Sequence, residues 1–325
     1  MKRWIDRWNA FWFPTTSTMP LALCRILMVA AQLYWRVTSM GEQYNLVAMN
    51  SAFIDPQLLI RAVSAVVPRT VLFTPSGIHV LYWITLVSGA LALVGLFTRA
   101  SLFVFALANW IFVAHLYSYA DFHHPEAVFS ILLMLLAFAP SGDRLSVDAL
   151  LRRWKSGAAR GTPGAVAGES DMAMWPLKTA HALMALTYFS TGLTKMVFGG
   201  LAWMNGYTLQ SYLLADGLRR NLPLGLWVAQ HHTLSVLLSI GTVVFELFFF
   251  VSLFWRRGAP FFFLGALFFQ IGLLLTAGHK FYPHMFVLLL LLLFIEPEWW
   301  QAPLRKYLRV PLTWAGRQEQ AQQPL

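Results

Sequence analysis

The chain has 325 residues, of which 58% are hydrophobic and only 12% are charged. A soluble domain carries roughly a quarter of charged residues, because its surface faces water. The composition therefore excludes a cytosolic globular enzyme, a disordered protein and a secreted disulfide scaffold, and it predicts an integral membrane protein. The 24 lysines and arginines exceed the 14 acidic residues and lie between apolar runs. This excess indicates membrane orientation and contact with the anionic headgroups of membrane lipids, rather than binding of nucleic acid.

The first 19 residues predict an amphipathic helix that lies in the membrane interface. Trp4, Trp8 and Trp12 recur every four residues, so they share one face of a helix, and the charged residues Lys2, Arg3, Asp6 and Arg7 lie between them. A tryptophan-rich apolar face opposite a basic face is typical of interfacial helices.

Residues 20–300 predict a transmembrane domain. Its apolar runs approach the 17–25 residues, about 30 Å of helix, that cross a bilayer. We therefore predict an all-α fold: a polytopic integral membrane helical bundle of about eight transmembrane helices plus the N-terminal interfacial helix. The fourth and eighth runs are short for spanning. The runs are 20–38, 79–97, 101–120, 124–140, 175–197, 232–254, 260–277 and 281–295.

Three segments interrupt or follow these runs. The long first loop, 41–78, contains an apolar stretch between Pro56 and Pro68 that predicts a short interfacial or re-entrant helix. Residues 156–170 are small and flexible and predict a linker, and residues 301–325 form a basic, polar C-terminal tail. No internal repeat is evident, so a transporter built from inverted repeats is the weakest of the functional hypotheses.

Basic residues predict the orientation of the bundle. With the N-terminus inside, the inner segments hold 15 lysines and arginines and the outer segments hold 6. Cytoplasmic loops carry such an excess, so both termini are predicted to be cytoplasmic. The same orientation brings five histidines and two lysines from four helix ends to the outer side. These residues are His123, His124, Lys195, His231, His232, His279 and Lys280.

Convergence of polar groups from different helices is what an active site requires, and Lys195 is the central candidate. His181, Tyr188 and Lys195 are seven residues apart, so they share one face of a helix. In one interpretation, Lys195 extends its ammonium group to the lipid headgroups, as lysines near helix ends do. In the other, it is desolvated and acts as a base.

The histidine pair His123-His124 precedes an apolar helix. Adjacent histidines point in different directions, and the chain has neither an HExxH motif nor a set of cysteine ligands. We therefore predict no metal site. His124 is either a residue at the membrane interface that caps the helix or a catalytic residue.

Glu246 lies well inside the sixth apolar run, where a carboxylate must be protonated or paired. Arg25 of the first run is expected at a comparable depth. The sequence therefore predicts a structural intramembrane pair between Glu246 and Arg25, with proton transfer as the alternative role.

Three stretches resemble the vitamin K-dependent gamma-carboxylase-like family, whose membrane part is called the horizontally transferred transmembrane (HTTM) domain. The first is Tyr188-Phe189-Ser190-Thr191-Gly192-Leu193-Thr194-Lys195, followed by Trp203-Met204-Asn205-Gly206-Tyr207. The second is His124, an apolar helix and Gly142-Asp143-Arg144-Leu145-Ser146-Val147-Asp148. The third runs from His279 to Trp299 and includes Pro283-His284-Met285-Phe286. Together they cover the chain from about Pro20 to Trp300.

The resemblance implies an enzyme that uses reduced vitamin K or menaquinol. The lysine that matches Lys195 deprotonates the quinol, and oxygen converts the anion to a strong base that removes a proton from the gamma carbon of a glutamate. Carbon dioxide then adds, and the quinone leaves as an epoxide. The histidine that matches His124 assists carboxylation, while His123, His279, Trp203 and Tyr207 would line the quinone and substrate pocket.

This sequence departs from the carboxylases in two ways. It stops at Leu325, without their large non-cytoplasmic domain, and Lys195 stands alone where they have a lysine pair. These departures argue against carboxylation of a peptide glutamate by this chain alone, and we expect a separately encoded soluble or membrane partner to supply the absent domain. The alternative is a non-catalytic quinone- or lipid-binding membrane protein that acts as a partner in a complex.

Overall fold

The computed structural model describes residues 2–48, 54–119, 126–155 and 169–295. Within these ranges the regular structure is helical apart from one pair of two-residue strands, which confirms the all-α fold. Five helices of the described residues are long and apolar enough to cross a membrane, and two shorter apolar helices accompany them. The chain forms two compact units with a boundary between Pro176 and Leu177. The predicted tail and residues 156–168 of the predicted linker lie outside the described ranges.

The described part of the first unit contains eight helices and both strands. They are α1 (Lys2–Trp12), β1 (Thr16–Ser17), α2 (Met19–Val47), α3 (Leu58–Val63), α4 (Arg69–Leu72), α5 (Pro75–Val94), α6 (Thr98–Tyr117), α7 (Glu126–Phe138), α8 (Val147–Lys155) and β2 (Glu169–Ser170). Helix α6 packs against α5 and α7, and α2 packs against the same two helices. The two strands pair antiparallel, so the residues before α2 are held against those that follow the predicted linker.

The first three helices of this unit can be compared with the sequence prediction. Helix α2 continues to Val47, beyond the predicted end of its apolar run near residue 38. The short helix predicted between Pro56 and Pro68 is present as α3, and it contacts α6. The predicted interfacial helix corresponds to α1, whose Trp4 and Trp8 are exposed.

The turn between α5 and α6 is held by a carboxylate from α8. Asp148 accepts hydrogen bonds from the backbone N–H groups of Phe97 and Thr98, at 2.9 and 2.7 Å, and from the Thr98 hydroxyl at 2.7 Å. Burial by itself would raise the pKa of Asp148, but these hydrogen bonds and the charge of Arg152 outweigh it and lower the pKa below its usual value. The turn requires two left-handed residues, Gly95 and Phe97, and Asp148 stabilises this conformation.

The described part of the second unit contains six helices and two short 3-10 segments. They are α9 (Trp175–Gly199), a 3-10 segment (Gly200–Asn205), α10 (Tyr207–Arg220), α11 (Pro223–Gln230), α12 (His232–Phe248), a second 3-10 segment (Phe249–Leu253), α13 (Ala259–Ala277) and α14 (Tyr282–Phe294). Helix α9 begins two residues before the unit boundary. Helices α10 and α11 pack against each other and against α12 and α13. The sequence analysis did not predict either of them.

Each of the eight predicted runs overlaps one helix: α2, α5, α6, α7, α9, α12, α13 or α14. Helices α7 and α14 have 13 residues each. At 1.5 Å per residue they extend about 20 Å, less than the roughly 30 Å of a hydrocarbon core. The prediction that the fourth and eighth runs are short for spanning is therefore confirmed.

Candidate functional site

One face of α9 carries the polar side chains of the candidate site. His181 lies 2.8 Å from the Ser252 hydroxyl. Tyr188 stacks on Phe249 with 4.4 Å between ring centroids, and its hydroxyl accepts a hydrogen bond of 2.8 Å from Gln270 Nε2. These contacts all lie within the second unit, on the side of α9 that faces α12, α13 and the 3-10 segment between them. The seven-residue spacing thus placed the side chains on a common, buried face, as predicted.

Lys195 forms an ion pair with Glu246 on this face. Its Nζ lies 2.7 Å from Oε1 and 2.5 Å from Oε2, so one ammonium group donates to both carboxylate oxygens. The side chain of Glu246 is only 4% exposed and that of Lys195 is 17% exposed. The ring centroid of Trp203 lies 5.1 Å from Nζ, within the range of a cation–π contact. Lys195 therefore has a carboxylate and an aromatic face as neighbours.

A glycine allows the two helices to approach closely enough for this pair. A Cβ atom at Gly192 would lie 2.9 Å from the backbone nitrogen of Leu247 and 3.0 Å from the Cβ of Glu246. Such distances are too short for real side chains, so only glycine fits between the α9 and α12 backbones here. Lys195 follows Gly192 by three residues, about one helical turn, and thus lies on the same face.

The predicted pair between Glu246 and Arg25 is wrong, because the partner of Glu246 is Lys195. Arg25 is fully buried in the first unit, where its Nη2 donates to the backbone carbonyl of Leu145. The prediction compared depths along separate apolar runs, and depth alone does not identify which helix faces a buried carboxylate. Contact with Gly192 is the information that it lacked.

The ion pair relates the position of Lys195 to that of Glu246 on α12. Glu246 lies fourteen residues after the first residue of α12, about 21 Å along that helix. Helix α12 packs against α10, α11 and the first 3-10 segment. The ammonium group of Lys195 therefore has a carboxylate partner within the protein.

The other predicted pocket residues of this unit contact different partners. His279 Nε2 lies 3.4 Å from Oδ2 of Asp216, whose Oδ1 accepts a hydrogen bond of 2.6 Å from Arg219. The ring of Tyr207 lies against His232 at a centroid distance of 4.5 Å. Lys195 and Trp203 are thus brought together, whereas His279 and Tyr207 belong to other contacts. His123 and His124 lie outside the described residues.

Metal binding is a separate question from acid–base chemistry. Within the described ranges, no group of three or more histidine, cysteine, aspartate or glutamate side chains is arranged to hold a metal ion. Cys24 is a buried free thiol in the first unit. The site around Lys195 consists instead of one ammonium group, one carboxylate and aromatic rings.

A family model described as HTTM domain matches residues 13–299. This chain belongs to the HTTM domain family. The match covers almost all of the predicted transmembrane domain, so the resemblance drawn from the sequence motifs is confirmed for the membrane part. Searches of curated proteins and of solved structures found no match.

The HTTM domain also contains buried polar residues that the sequence analysis missed. In its first unit, Asn109 Oδ1 accepts hydrogen bonds from Gln32 at 2.9 Å and from Arg36 at 3.2 Å. The Arg36 guanidinium lies 3.9 Å from the ring centroid of Phe112. In the second unit, the sequence analysis did not include Gln270 although it is an isolated amide in a long apolar run. A polar residue within an apolar run is the signal that would have identified Asn109, its two partners and Gln270, since polar groups inside membrane helices are rarely exposed to lipid.

Proposed function

We propose that this chain is a vitamin K-dependent carboxylase-like membrane enzyme that uses a reduced naphthoquinone, oxygen and carbon dioxide, with Lys195 as the base. The observation that carries the proposal is the buried ion pair between Lys195 and Glu246, in the motif that resembles the carboxylase lysine. Charged side chains inside a membrane domain are costly, and they usually mark a function. The acceptor of the carboxyl group is a carbon acid, and a peptide glutamate remains one candidate.

The surroundings of Lys195 fit the headgroup of a reduced naphthoquinone. The ammonium group is partly accessible, and Trp203 offers a flat aromatic surface beside it. Further along α9 and in the 3-10 segment, Val197, Phe198 and Leu201 are exposed apolar side chains. A prenylated quinol partitions into lipid, so an apolar approach next to a basic group is the surface that it requires. When bound, the quinol would supply, together with oxygen, the strong base that removes a carbon-bound proton.

Lys195 must be neutral to accept a proton from a hydroxyl group, and Glu246 provides the means. The 2.5 Å contact between Nζ and Oε2 is a direct path for a proton from the ammonium group to the carboxylate. This transfer converts an ion pair into a neutral pair without changing the net charge of the site. Lys195 then accepts the proton of the bound hydroxyl, while Glu246 retains the first one. Tyr188, Phe249 and Gln270 exclude water on the buried side.

The remaining assignments follow from the resemblance and from the charge pattern. His124 would assist carboxylation, with His123, His279 and Tyr207 near the substrate. The site would lie on the non-cytoplasmic side, with both chain termini in the cytoplasm. A separately encoded soluble or membrane protein is the proposed partner.

The test is epoxide formation in nanodiscs. The purified chain is supplied with reduced vitamin K or menaquinol and oxygen, and the epoxide is measured by mass spectrometry. We expect epoxide from the wild-type chain, little from Lys195→Ala, and unchanged amounts from the control Lys280→Ala, an exposed lysine. Glu246→Gln retains a hydrogen-bond acceptor but cannot take up a proton, so it should also lose activity. Equal epoxide from wild type and Lys195→Ala would reject Lys195 as the base.

A second candidate is a non-catalytic quinone- or lipid-binding protein that acts as a partner in a complex. The specific observation in its favour is that Glu246 neutralises Lys195 in the observed state. This candidate predicts that a quinone binds and protects the protein against heat, while no epoxide forms. Binding with equal affinity to the wild-type chain and to Glu246→Gln would support it.

A further inference from the structure

Helix α8 of the first unit is amphipathic, and its polar side attaches it to the bundle. Asp148 and Arg152 are four residues apart and share this side. Asp148 accepts hydrogen bonds from two backbone N–H groups of the turn between α5 and α6, and its own N–H donates to the carbonyl of Gly95 at 3.0 Å. Arg152 Nη2 donates to the carbonyl of Gly142 at 2.9 Å. The polar side of α8 thus contacts protein rather than water.

The apolar side of the same helix is exposed. Leu150 and Trp154 are four residues apart and lie on the side of α8 opposite to Asp148 and Arg152. Leu150 is 65% exposed and Trp154 is 82% exposed. A helix on the surface of a soluble domain has the reverse arrangement, because its apolar face packs on the core. An exposed leucine and tryptophan on one side of an amphipathic helix are typical of helices in the membrane interface.

The apolar side of α8 continues onto neighbouring elements. Met19, Val94, Leu145 and Leu150 are among the residues that line one concave surface. Val94 is the last residue of α5, a helix long and apolar enough to cross a membrane, and it is 50% exposed. Exposed apolar patches mark sites of interaction with proteins or membranes. Because this patch is continuous with the surface of a candidate membrane span, lipid of the bilayer is the occupant that it fits.

Two apolar residues next to α8 have left-handed backbone conformations. Phe97, in the turn that Asp148 binds, has a φ of 47°, and Leu145, two residues before α8, has a φ of 49°. They are 70% and 51% exposed. A positive φ is uncommon for bulky residues, and glycine or asparagine usually occupies such positions in water-exposed turns. Contact with lipid would give both large side chains an apolar environment.

Helix α8 lies at the same end of α2 as the predicted interfacial helix α1. Met19 is the first residue of α2, which follows α1 and β1 in the chain. Residues of α8 line the same concave surface as Met19, so α8 is next to this end of α2. Trp4 and Trp8 of α1 are 76% and 62% exposed. Two amphipathic helices with exposed tryptophans therefore lie at one end of α2, as expected for a membrane interface.

We propose that α8 lies in the membrane interface, with Leu150 and Trp154 inserted among the lipid acyl chains. In this position α8 binds bilayer lipid through its apolar side and the turn between α5 and α6 through Asp148. The helix thus connects the lipid interface to the packing of α5 and α6. The interaction uses apolar side chains and requires no particular lipid headgroup. The inference is independent of the chemistry at Lys195.

The experiment measures the depth of nitroxide spin labels on α8 by electron paramagnetic resonance, with the full chain in nanodiscs of phosphatidylcholine. Cys24 is the one cysteine of the sequence, so Cys24→Ala leaves only an introduced thiol for labelling. The labels are attached to Leu150→Cys and, separately, to Trp154→Cys. Lys155→Cys is the matched control, because Lys155 is exposed and lies on the polar side of α8, seven residues after Asp148. Accessibility to oxygen, which concentrates in lipid, is compared with accessibility to a water-soluble nickel chelate.

We expect the labels at positions 150 and 154 to be accessible to oxygen and shielded from the nickel chelate, at a depth of about 5–10 Å. The label at position 155 should show the reverse. Two apolar positions are labelled separately, so the test does not depend on the folding of one variant. Access of the nickel chelate equal to that at position 155 would place the apolar side in water and overturn the proposal. Shielding from both reagents would show that protein covers this side, as a partner or a second copy would, and would overturn it as well.

Discussion

Replacing Lys195 by methionine is the change that best tests the central ion pair. The substitution keeps an unbranched apolar side chain of similar length but leaves Glu246, which is 4% exposed, without its cation. Removing one member of a buried pair leaves an uncompensated charge and costs about 3–5 kcal/mol. Soluble domains of 150–250 residues lose about 2–4 °C of melting temperature per kcal/mol. We therefore expect a decrease of at least about 6 °C for Lys195→Met in nanodiscs.

The double variant Lys195→Met/Glu246→Leu separates the coupling energy of the two side chains from the effect of each substitution alone. Well-packed apolar residues often replace a buried ion pair at little cost, so the double variant should melt above Lys195→Met. Lys280→Met provides the control, since Lys280 is exposed, and it should melt within about 1 °C of the wild type because surface substitutions change stability by only about 0.5 kcal/mol. If the two single effects were additive in the double variant, or if Lys195→Met matched Lys280→Met, the two side chains would not be coupled.

Three further changes test other contacts by thermal unfolding. Gly192→Ala should lower the melting temperature and reduce epoxide formation, because its Cβ would lie 2.9 Å from the Leu247 nitrogen; wild-type stability would contradict the close approach. Tyr188→Phe leaves the buried amide of Gln270 without its acceptor, so a loss of about 1–3 kcal/mol is expected, and no loss would show that the hydrogen bond is unimportant. The folded state lowers the pKa of Asp148, so its stabilisation is present above the unfolded value of about 3.9 and disappears as the pH falls through the folded value. The difference in melting temperature between wild type and Asp148→Asn should therefore be constant from pH 7 to 5 and decrease below about pH 4, and a difference that grew in acid would contradict this sign.

The sequence predicted the long helices well because their signal is simple. Each is an apolar run whose length approaches the thickness of a bilayer, and hydrogen bonding within the segment forces such runs to be helical. The shared face of His181, Tyr188 and Lys195 was also predictable, because positions seven apart coincide on a helix of 3.6 residues per turn.

The partners of these residues were not predictable from one sequence. To predict the partner of Glu246, one would need to know which helix approaches α12. That approach depends on the close contact at Gly192. Helix α10 was missed because polar and charged residues interrupt its apolar positions, and helix α11 was missed because it has only eight residues. Residues of α10 and α11 contact α12 and α13, so tertiary packing rather than local hydropathy accounts for them. The contact between His279 and Asp216 was likewise not predicted.

Two of the buried polar contacts, Arg36 with Asn109 and Lys195 with Glu246, differ in what they can do chemically. Arg36 remains protonated near neutral pH, and its partner Asn109 is uncharged, so this cluster has no proton to exchange and serves packing. The pair of Lys195 and Glu246 has two states of equal net charge, one ionic and one neutral. Charged side chains are costly inside a membrane domain, and the pairing offsets that cost, so the ion pair is important for stability. In the proposed reaction, the neutral state is the one in which Lys195 accepts a proton.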